Sequence, residues 1–428
     1  MFSNSFVYLH KLRRNLRLRL PDLQETQWKM LKTVIKHAFE NVSFYHRKFD
    51  EVGIKPDDIR SFADLSRVPF TTKSEIQASS LVDVVARSFD ISRCAKRTTS
   101  GSTGRPLTVI VNKAAKVFWS ALWLRAYFEN GLRFRDKIAV ISESPRIQQR
   151  RNLGQLLGVM RKEYVSNFDD ANKQLALLEE YAPDVIKGYP SSLTILADAC
   201  HHNQKNVKPR LIFTLGELLD LESRRMIGSA FESDVLDNYA CAESGLLAWE
   251  CRKHMGYHVN VDSIGIEYIN DGEPVSSGES GEIVISSLVN YAMPLIRYQL
   301  GDVGVPVEDR CSCGVVLPLM EVLEGRRNDF LTTLDGRRIS PTVFFPYPFE
   351  DYKGIKQFRI IQERRNNLVI QLVARKDLAN SEALRKAEKE IEKLFGEGMQ
   401  CEFQFVDRID MNSAGKFRKI ISRLPPNL

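Results

Sequence analysis

The chain has 428 residues, of which 43% are apolar and 27% charged, with 61 Lys and Arg against 54 Asp and Glu. That length predicts two or three domains with a sizeable core, and the composition excludes low-complexity disorder and collagen-like repeats. No run approaches the ~20 apolar residues of a membrane span, and the net charge of +7 is too concentrated at one end for a broad nucleic-acid footprint.

The concentration lies in residues 1–20, which hold Lys11, Arg13, Arg14, Arg17 and Arg19 and no acid, with Leu9, Leu12, Leu16 and Leu20 at helical spacing between them. Two readings fit. One is a basic amphipathic helix in peripheral contact with an anionic membrane face; the other is a terminal helix packed on its own domain. A secretory signal would need a longer apolar core, whereas an organelle transit peptide would share the arginines. The chain has seven cysteines; without such a signal they argue against disulfides and for a reducing cytoplasm.

Further along, Leu23–Phe49 reads as helical, with Trp28, Leu31, Ile35, Ala38 and Phe39 on one face. Turns are expected at Lys55–Asp58 and Pro69–Lys73. Strands then alternate with helices: strand Leu107–Val111, helix Lys113–Phe128, strand Ile138–Ile141, strand Val185–Gly188, helix Ser191–His201, strand Leu211–Leu215, helix Glu222–Phe231 and strand Val235–Tyr239. This alternation predicts an α/β fold. After Cys251 the pattern changes to hairpins, Ile264–Ile269 and Glu282–Ile285 about an Asn270-Asp271-Gly272 turn. Beyond a polar joint at Arg326–Asp329 a small α+β unit is expected: strands Gln357–Ile361 and Leu368–Ala374, helix Ser381–Phe395 and strand Glu402–Val406.

The string Thr98-Thr99-Ser100-Gly101-Ser102-Thr103-Gly104-Arg105-Pro106 precedes a strand and combines five hydroxyls, two glycines and a cation. Glycines let backbone N–H groups approach an anion, and hydroxyls and Arg105 add donors, so it suits phosphate; composition alone fits a plain flexible loop equally well. It is not a Walker motif. Cys251, Cys311 and Cys313 with His258 form a set suited to tetrahedral zinc, and His254 competes for the fourth position. Three buried free thiols are the alternative.

Residues 99–106 resemble the phosphate loop of the adenylate-forming enzymes, which include acyl-CoA synthetases and peptide-synthetase adenylation domains. Further signatures follow in that family's order. Leu215-Gly216-Glu217 resembles the strand end bordering adenine, and Asn238-Tyr239-Ala240-Cys241-Ala242-Glu243-Ser244 the aromatic-plus-glutamate motif. Pro294–Asp302 is similar to the ribose-binding motif, Gly325–Asp329 to the hinge, and Ser413-Ala414-Gly415-Lys416 to the C-terminal lysine motif. The helical segment 36–45, with Gly188-Tyr189-Pro190-Ser191-Ser192 and Gly415-Lys416-Phe417-Arg418, resembles the phenylacetate–CoA ligase branch and its members from capsular-polysaccharide loci.

The resemblance implies an N-terminal AMP-binding domain over 1–325, with a zinc-bearing β subdomain at about 246–325, and a small mobile C-terminal domain over 326–428. It implies ATP-dependent activation of a small-molecule carboxylate to an acyl-adenylate, then transfer to coenzyme A. An amine acceptor, as in indoleacetate–lysine ligase, is the alternative, and a non-catalytic zinc-containing binding protein a remote one. Residues Thr99–Arg105, Gly216, Glu217, Tyr239, Asp302 and Arg326 would bind ATP and AMP. Tyr239 would stack on adenine, Asp302 would accept both ribose hydroxyls, Glu243 would hold magnesium, and Lys416 would stabilise charge building on the reacting phosphate. The related ligases carry a similar cysteine cluster, which favours His258 over His254. Three positions depart from or hold loosely to the family pattern: Arg105 replaces the usual lysine, Asn328 replaces the first hinge aspartate, and Arg337 lies where one domain orientation often uses an arginine.

Overall fold

The chain opens with helices whose apolar faces decide where they go. The structure, a computed structural model, describes residues 2–99, 106–142, 158–202, 205–324, 331–336, 338–339, 355–374, 382–410 and 420–424. Helix α1 (Phe2–Asn15) lays Leu9 and Leu12 into the core, and Leu16 just beyond its end follows them. The leucine stripe that a lipid surface would require is spent on the protein itself, in keeping with the packed reading. The predicted Leu23–Phe49 helix is two helices, α2 (Leu20–Asn41) and α3 (Ser43–Glu51). They break at Val42, whose backbone is extended (φ −121°, ψ 110°) and whose side chain is buried. Two short helices follow, α4 (Lys73–Ala78) and α5 (Leu81–Val84).

An antiparallel ribbon of β1 (Ala95–Thr98) and β2 (Thr108–Val111) brackets the hydroxyl-rich segment. Helix α6 (Lys113–Glu129) starts where the Asn112 side chain accepts the Ala115 N–H at 2.7 Å. It is apolar on nearly every side, as a helix enclosed by its own domain should be. Strands β3 (Lys137–Ser142), β4 (Arg161–Ser166), β5 (Val185–Gly188), β6 (Leu211–Leu215) and β7 (Asp234–Cys241) run parallel in the order β4-β3-β5-β6-β7. Successive residues in these strands bury on opposite faces. Ile138, Val185, Leu211 and Leu236 meet Tyr127 of α6. Their neighbours Ala139, Ile186, Ile212 and Val235 meet helices α7 (Ala171–Tyr181), α8 (Pro190–His202) and α9 (Leu221–Phe231). Cover on both faces explains the near-continuous apolar runs in β3, β5 and β6.

At β8 (Gly245–Glu250) the chain reverses and the sheet becomes antiparallel. Strands β9 (Tyr257–Val259), β10 (Ile264–Asn270), β11 (Glu273–Pro274), β12 (Gly281–Ser287), β13 (Tyr298–Val307) and β14 (Leu319–Glu324) complete a 12-stranded sheet ordered β11-β10-β12-β13-β14-β9-β8-β7-β6-β5-β3-β4. The hairpin-rich stretch predicted after Cys251 is therefore hydrogen-bonded directly onto the central sheet. After a short ribbon of β15 (Leu331–Thr332) and β16 (Arg338–Ile339), strands β17 (Ile355–Arg364), β18 (Asn367–Ala374), β19 (Gln400–Phe405) and β20 (Ile420–Ser422) form a separate sheet ordered β19-β18-β17-β20. Its core joins Ile360, Leu368, Ile370 and Leu372 to Leu384, Ala387, Ile391 and Phe395 of helix α10 (Glu382–Phe395). A second core and a second sheet give this part the α+β character that its pattern predicts.

Candidate active site and metal cluster

The loops that follow the C-terminal ends of parallel strands are where open α/β sheets place ligands. Thr99 leaves β1 buried, and it clasps the far end of the hydroxyl-rich segment twice: its N–H donates to the Leu107 carbonyl, and its Oγ1 accepts the Leu107 N–H, both at 2.9 Å. Ser100, Gly101, Ser102, Thr103, Gly104 and Arg105 lie outside the described residues, as do Arg326, Asn328, Arg337 and Lys416. The described residues hold the rest of that set, Gly216, Glu217, Tyr239, Glu243 and Asp302.

Gly216 ends β6 in the left-handed region (φ 79°), a turn that favours glycine. The next carboxylate, Glu217, accepts the Ser191 N–H at 2.9 Å, tying the start of α8 to this turn. Tyr239 and Asp302 come from different signatures and meet directly, the phenol donating to Asp302 Oδ2 at 2.6 Å. Burial first, and then the Asp302 charge, hold the Tyr239 phenol far above its usual range, so it is a neutral donor. Glu243 lies in the tight β7–β8 turn, buried, with the Tyr298 hydroxyl 3.4 Å from its Oε1. Gly245 closes that turn at φ 77°, and a Cβ there would stand 3.0 Å from Trp119 Cγ, so the turn rests on the indole of α6.

Arg297, in the ribose-like string, has a different task. It is buried, forks onto Glu267 (Nη2 to Oε1 2.9 Å, Nε to Oε2 3.1 Å), donates to the Val68 carbonyl at 2.6 Å and lies 4.1 Å from the Phe70 ring centroid. It staples the 66–71 segment to the sheet. Tyr298 adds a hydroxyl beside Glu243 that no signature predicts, and its place next to Arg297 in the ribose-like string is the signal for it.

Away from this turn, Cys251, His258, Cys311 and Cys313 converge so that their ligand atoms all lie within 4.8 Å of one another. Cys251 and Cys311 sulfurs are 3.5 Å apart, and Cys313 Sγ is 3.3 Å from His258 Nε2. Bonds of about 2.0–2.3 Å to one tetrahedral centre put ligand atoms about 3.3–3.8 Å apart. These residues therefore fit zinc. Burial holds the His258 imidazole down to about 4 and pushes the Cys251 thiol up to about 12. The imidazole is thus a ready neutral ligand, while the Cys251 and Cys313 thiols, both raised by burial, would ionise only against a cation. His254 is excluded from the cluster. Its backbone turns left-handed (φ 49°), and its ring bonds Asp234 Oδ1 at 3.0 Å and Arg224 Nη1 at 3.2 Å.

No described helix is long and apolar enough to cross a membrane. A family profile described as the CapK C-terminal domain matches residues 331–423. The phenylacetate–coenzyme A ligase of Escherichia coli (strain K12) is 28% identical over 332 residues, 72% of each chain. Protein CapK of Staphylococcus aureus is 23% identical over 419 residues, covering 94% of this chain and 90% of its own. Among solved structures, a 2-hydroxyisobutyryl-CoA ligase in the postadenylation state superposes with a TM-score of 0.78 at 20% identity, over 96% of this chain and 91% of the other; this likeness supports the α/β fold. With the ordered signatures, these matches support the resemblance to the adenylate-forming enzymes, in the branch that holds the phenylacetate–coenzyme A ligases and CapK.

Proposed function

We propose that the protein is an AMP-forming ligase that activates a carboxylate with ATP and passes the acyl group to coenzyme A. The observation that carries this reading is the 2.6 Å Tyr239–Asp302 hydrogen bond, which joins the adenine-type and ribose-type signatures across 63 residues, beside the buried Glu243. Tyr239 would offer its ring to adenine while its hydroxyl orients Asp302, whose carboxylate would accept from the ribose. Glu243 is a hard oxygen ligand suited to a magnesium ion on the phosphates. Thr99–Arg105 would surround those phosphates, and Arg326 would reach the ribose and α-phosphate from the joint. Lys416 would place an ammonium where negative charge grows in the transition state. No protein nucleophile is needed, because the substrate carboxylate itself attacks.

We further propose the division into 1–325 and 326–428, which puts Lys416 on the smaller unit and lets its rotation separate the two half-reactions. An amine acceptor is the second reading, and a role in polysaccharide assembly is supported by the similarity to CapK. Cys251, His258, Cys311 and Cys313 would hold one structural zinc. Purified protein should carry one zinc per chain by elemental analysis, and Cys311→Ser should lose it. For the activity, ATP–pyrophosphate exchange over a panel of carboxylates is the test. Lys416→Ala should slow exchange by about 10²-fold or more without changing the unfolding midpoint. Exchange at the unaltered rate in that variant would remove Lys416 from its role. Acceptor identity follows from AMP release with coenzyme A and amines supplied separately.

A further inference from the structure

The face of α6 turned to the sheet carries Trp119, Trp123 and Tyr127, four residues apart and therefore in one line. Cations lie over these rings. Arg97 sits 5.2 Å from the Trp119 centroid, and the Lys187 ammonium 4.1 Å from that of Tyr127 and 5.6 Å from that of Trp123. Trp123 and Tyr127 are themselves 5.6 Å apart, with Phe213 behind Tyr127 at 4.5 Å. Lys162, from β4, shares this face of the sheet, two residues before Tyr164. Among the described residues no carboxylate pairs with Lys187, Lys162 or Arg97. The buried Tyr127 hydroxyl and Trp119 Nε1 also have no partner. Three cations and two buried donors with no acceptor form a site for an acceptor supplied from outside.

The position of this strip states what that acceptor belongs to. Trp119 supports the Glu243 turn through Gly245, and Arg97 lies near Cys241 at the start of that turn. Lys187 is the penultimate residue of β5, directly before the Gly188-Tyr189-Pro190 turn whose Ser191 N–H is tied to Glu217. Trp119 to Tyr127 spans eight residues of helix, about 12 Å at ~1.5 Å per residue. The strip therefore leads away from the candidate carboxylate-activating centre for the length of a medium acyl chain.

We infer that the substrate is a dianion: one carboxylate is activated near Glu243, and a second anionic group, remote from it, is held by Lys187 and Lys162 over the Trp123 and Tyr127 rings. This deepens the proposed function and rests on it. Burial and the neighbouring Lys162 charge hold the Lys187 ammonium down to about 7, so the bare site is strained by its own charge and an incoming anion relieves it. An aromatic wall shields the pair from water and strengthens the contact.

The test uses the full-length protein and α,ω-dicarboxylates from succinate to suberate, each paired with the monocarboxylate of equal length. In pyrophosphate release, the diacid at the best length should exceed its partner by about tenfold or more in kcat/KM. Lys187→Met should reverse that preference while retaining turnover of the monoacid. Lys162→Gln supplies a second variant should the first fail to fold, and should narrow the ratio. A wild-type preference for the monoacid at every length, or an unchanged ratio in a folded Lys187→Met protein, overturns the inference. If no carboxylate is turned over, the ligase reading fails, and tryptophan fluorescence decides this one separately. Diacids alone should then give a saturable change that monoacids do not, lost in Lys187→Met. No change with any diacid, or equal binding of inorganic phosphate, rejects it.

Discussion

Helix α6 meets a charge on each of two opposite faces, buried Arg125 of its own and half-buried Lys187 of β5, and the two are treated differently. On one, Arg125 is wholly buried and makes four hydrogen bonds: to both oxygens of Asp262 at 2.6 and 3.0 Å, to Asn260 Oδ1 at 2.6 Å and to the Leu12 carbonyl at 3.1 Å. Asn15 adds a donor to Asp262 at 2.9 Å and Trp249 one to Asn260 at 3.1 Å. Two residues further along, on the other face, Lys187 lies over Tyr127 with no described carboxylate beside it. A charge buried for the sake of the fold is surrounded by partners, since leaving one unpaired costs several kcal/mol. An unpaired one is tolerated where it serves something other than the fold.

The sharpest way to break this comparison is to remove the guanidinium. Arg125→Met should lose about 3–5 kcal/mol in denaturant unfolding, because Asp262 is then buried without its counter-charge. Adding Asp262→Leu should recover part of the loss. A cost below about 1 kcal/mol would mean the pair is not an anchor for α1. Lys187→Met should act with the opposite sign and stabilise by about 1–4 kcal/mol at pH 7. Its pH dependence follows from the shift. The folded-state value is lowered to about 7, against about 10.4 for a free lysine. Between those values the unfolded chain binds a proton that the folded one refuses, so wild-type stability falls as pH drops from about 10 to about 7 and levels off below. Melting points across that range should show this slope in the wild type and not in the variant.

Neither charge could have been placed from the sequence. Arg125 sits inside an apolar helix, and its partner Asp262 is 137 residues away; nothing local distinguishes it from a solvated arginine. Lys187 interrupts the apolar strand Val185-Ile186-Lys187-Gly188, and which face it takes depends on the register of β5 against β3 and β6. Where local signal and fold agreed, the reading was close: the parallel strands carry apolar runs because both faces are covered, and α10 shows its core face as Leu384, Ala387, Ile391 and Phe395. Strand β4, Arg-Lys-Glu-Tyr-Val-Ser, was missed because an edge strand can be polar on much of its surface. The cysteine spacing points to a metal set and the resemblance favours His258; the reason His254 stays out, a left-handed backbone that turns its ring to Asp234, is not in the string.

Asp237 sharpens the comparison from between the two extremes. It is buried and partnered by the hydroxyls of Thr214 and, at 2.8 Å, Tyr257, yet Glu250 lies close by. Burial first, with the Glu250 charge adding to it, raises its carboxyl to about 6. The folded chain therefore keeps a proton that the unfolded chain releases near pH ~3.9. Stability should fall as pH rises from about 4 to about 6, by on the order of 2 kcal/mol. Asp237→Asn, whose amide oxygen accepts from one hydroxyl while its NH2 donates to the other, should flatten that part of the pH profile in thermal melts. A persisting slope would assign it to other carboxyls.

The smallest effect on the fold is expected inside the candidate site, where a paired group serves a ligand. Tyr239→Phe removes one hydrogen bond to Asp302 and should cost only about 0.5–1.5 kcal/mol of stability. The aromatic ring that would meet adenine is retained. What goes is the donor that orients the carboxylate proposed to hold the ribose. KM for ATP should then rise several-fold with little change in kcat, the signature of an interaction made equally in ground and transition states. If kcat fell instead and KM held, the Tyr239–Asp302 pair would be shaping the reacting geometry, and this corner of the site would behave less like a nucleotide clamp than like Lys416.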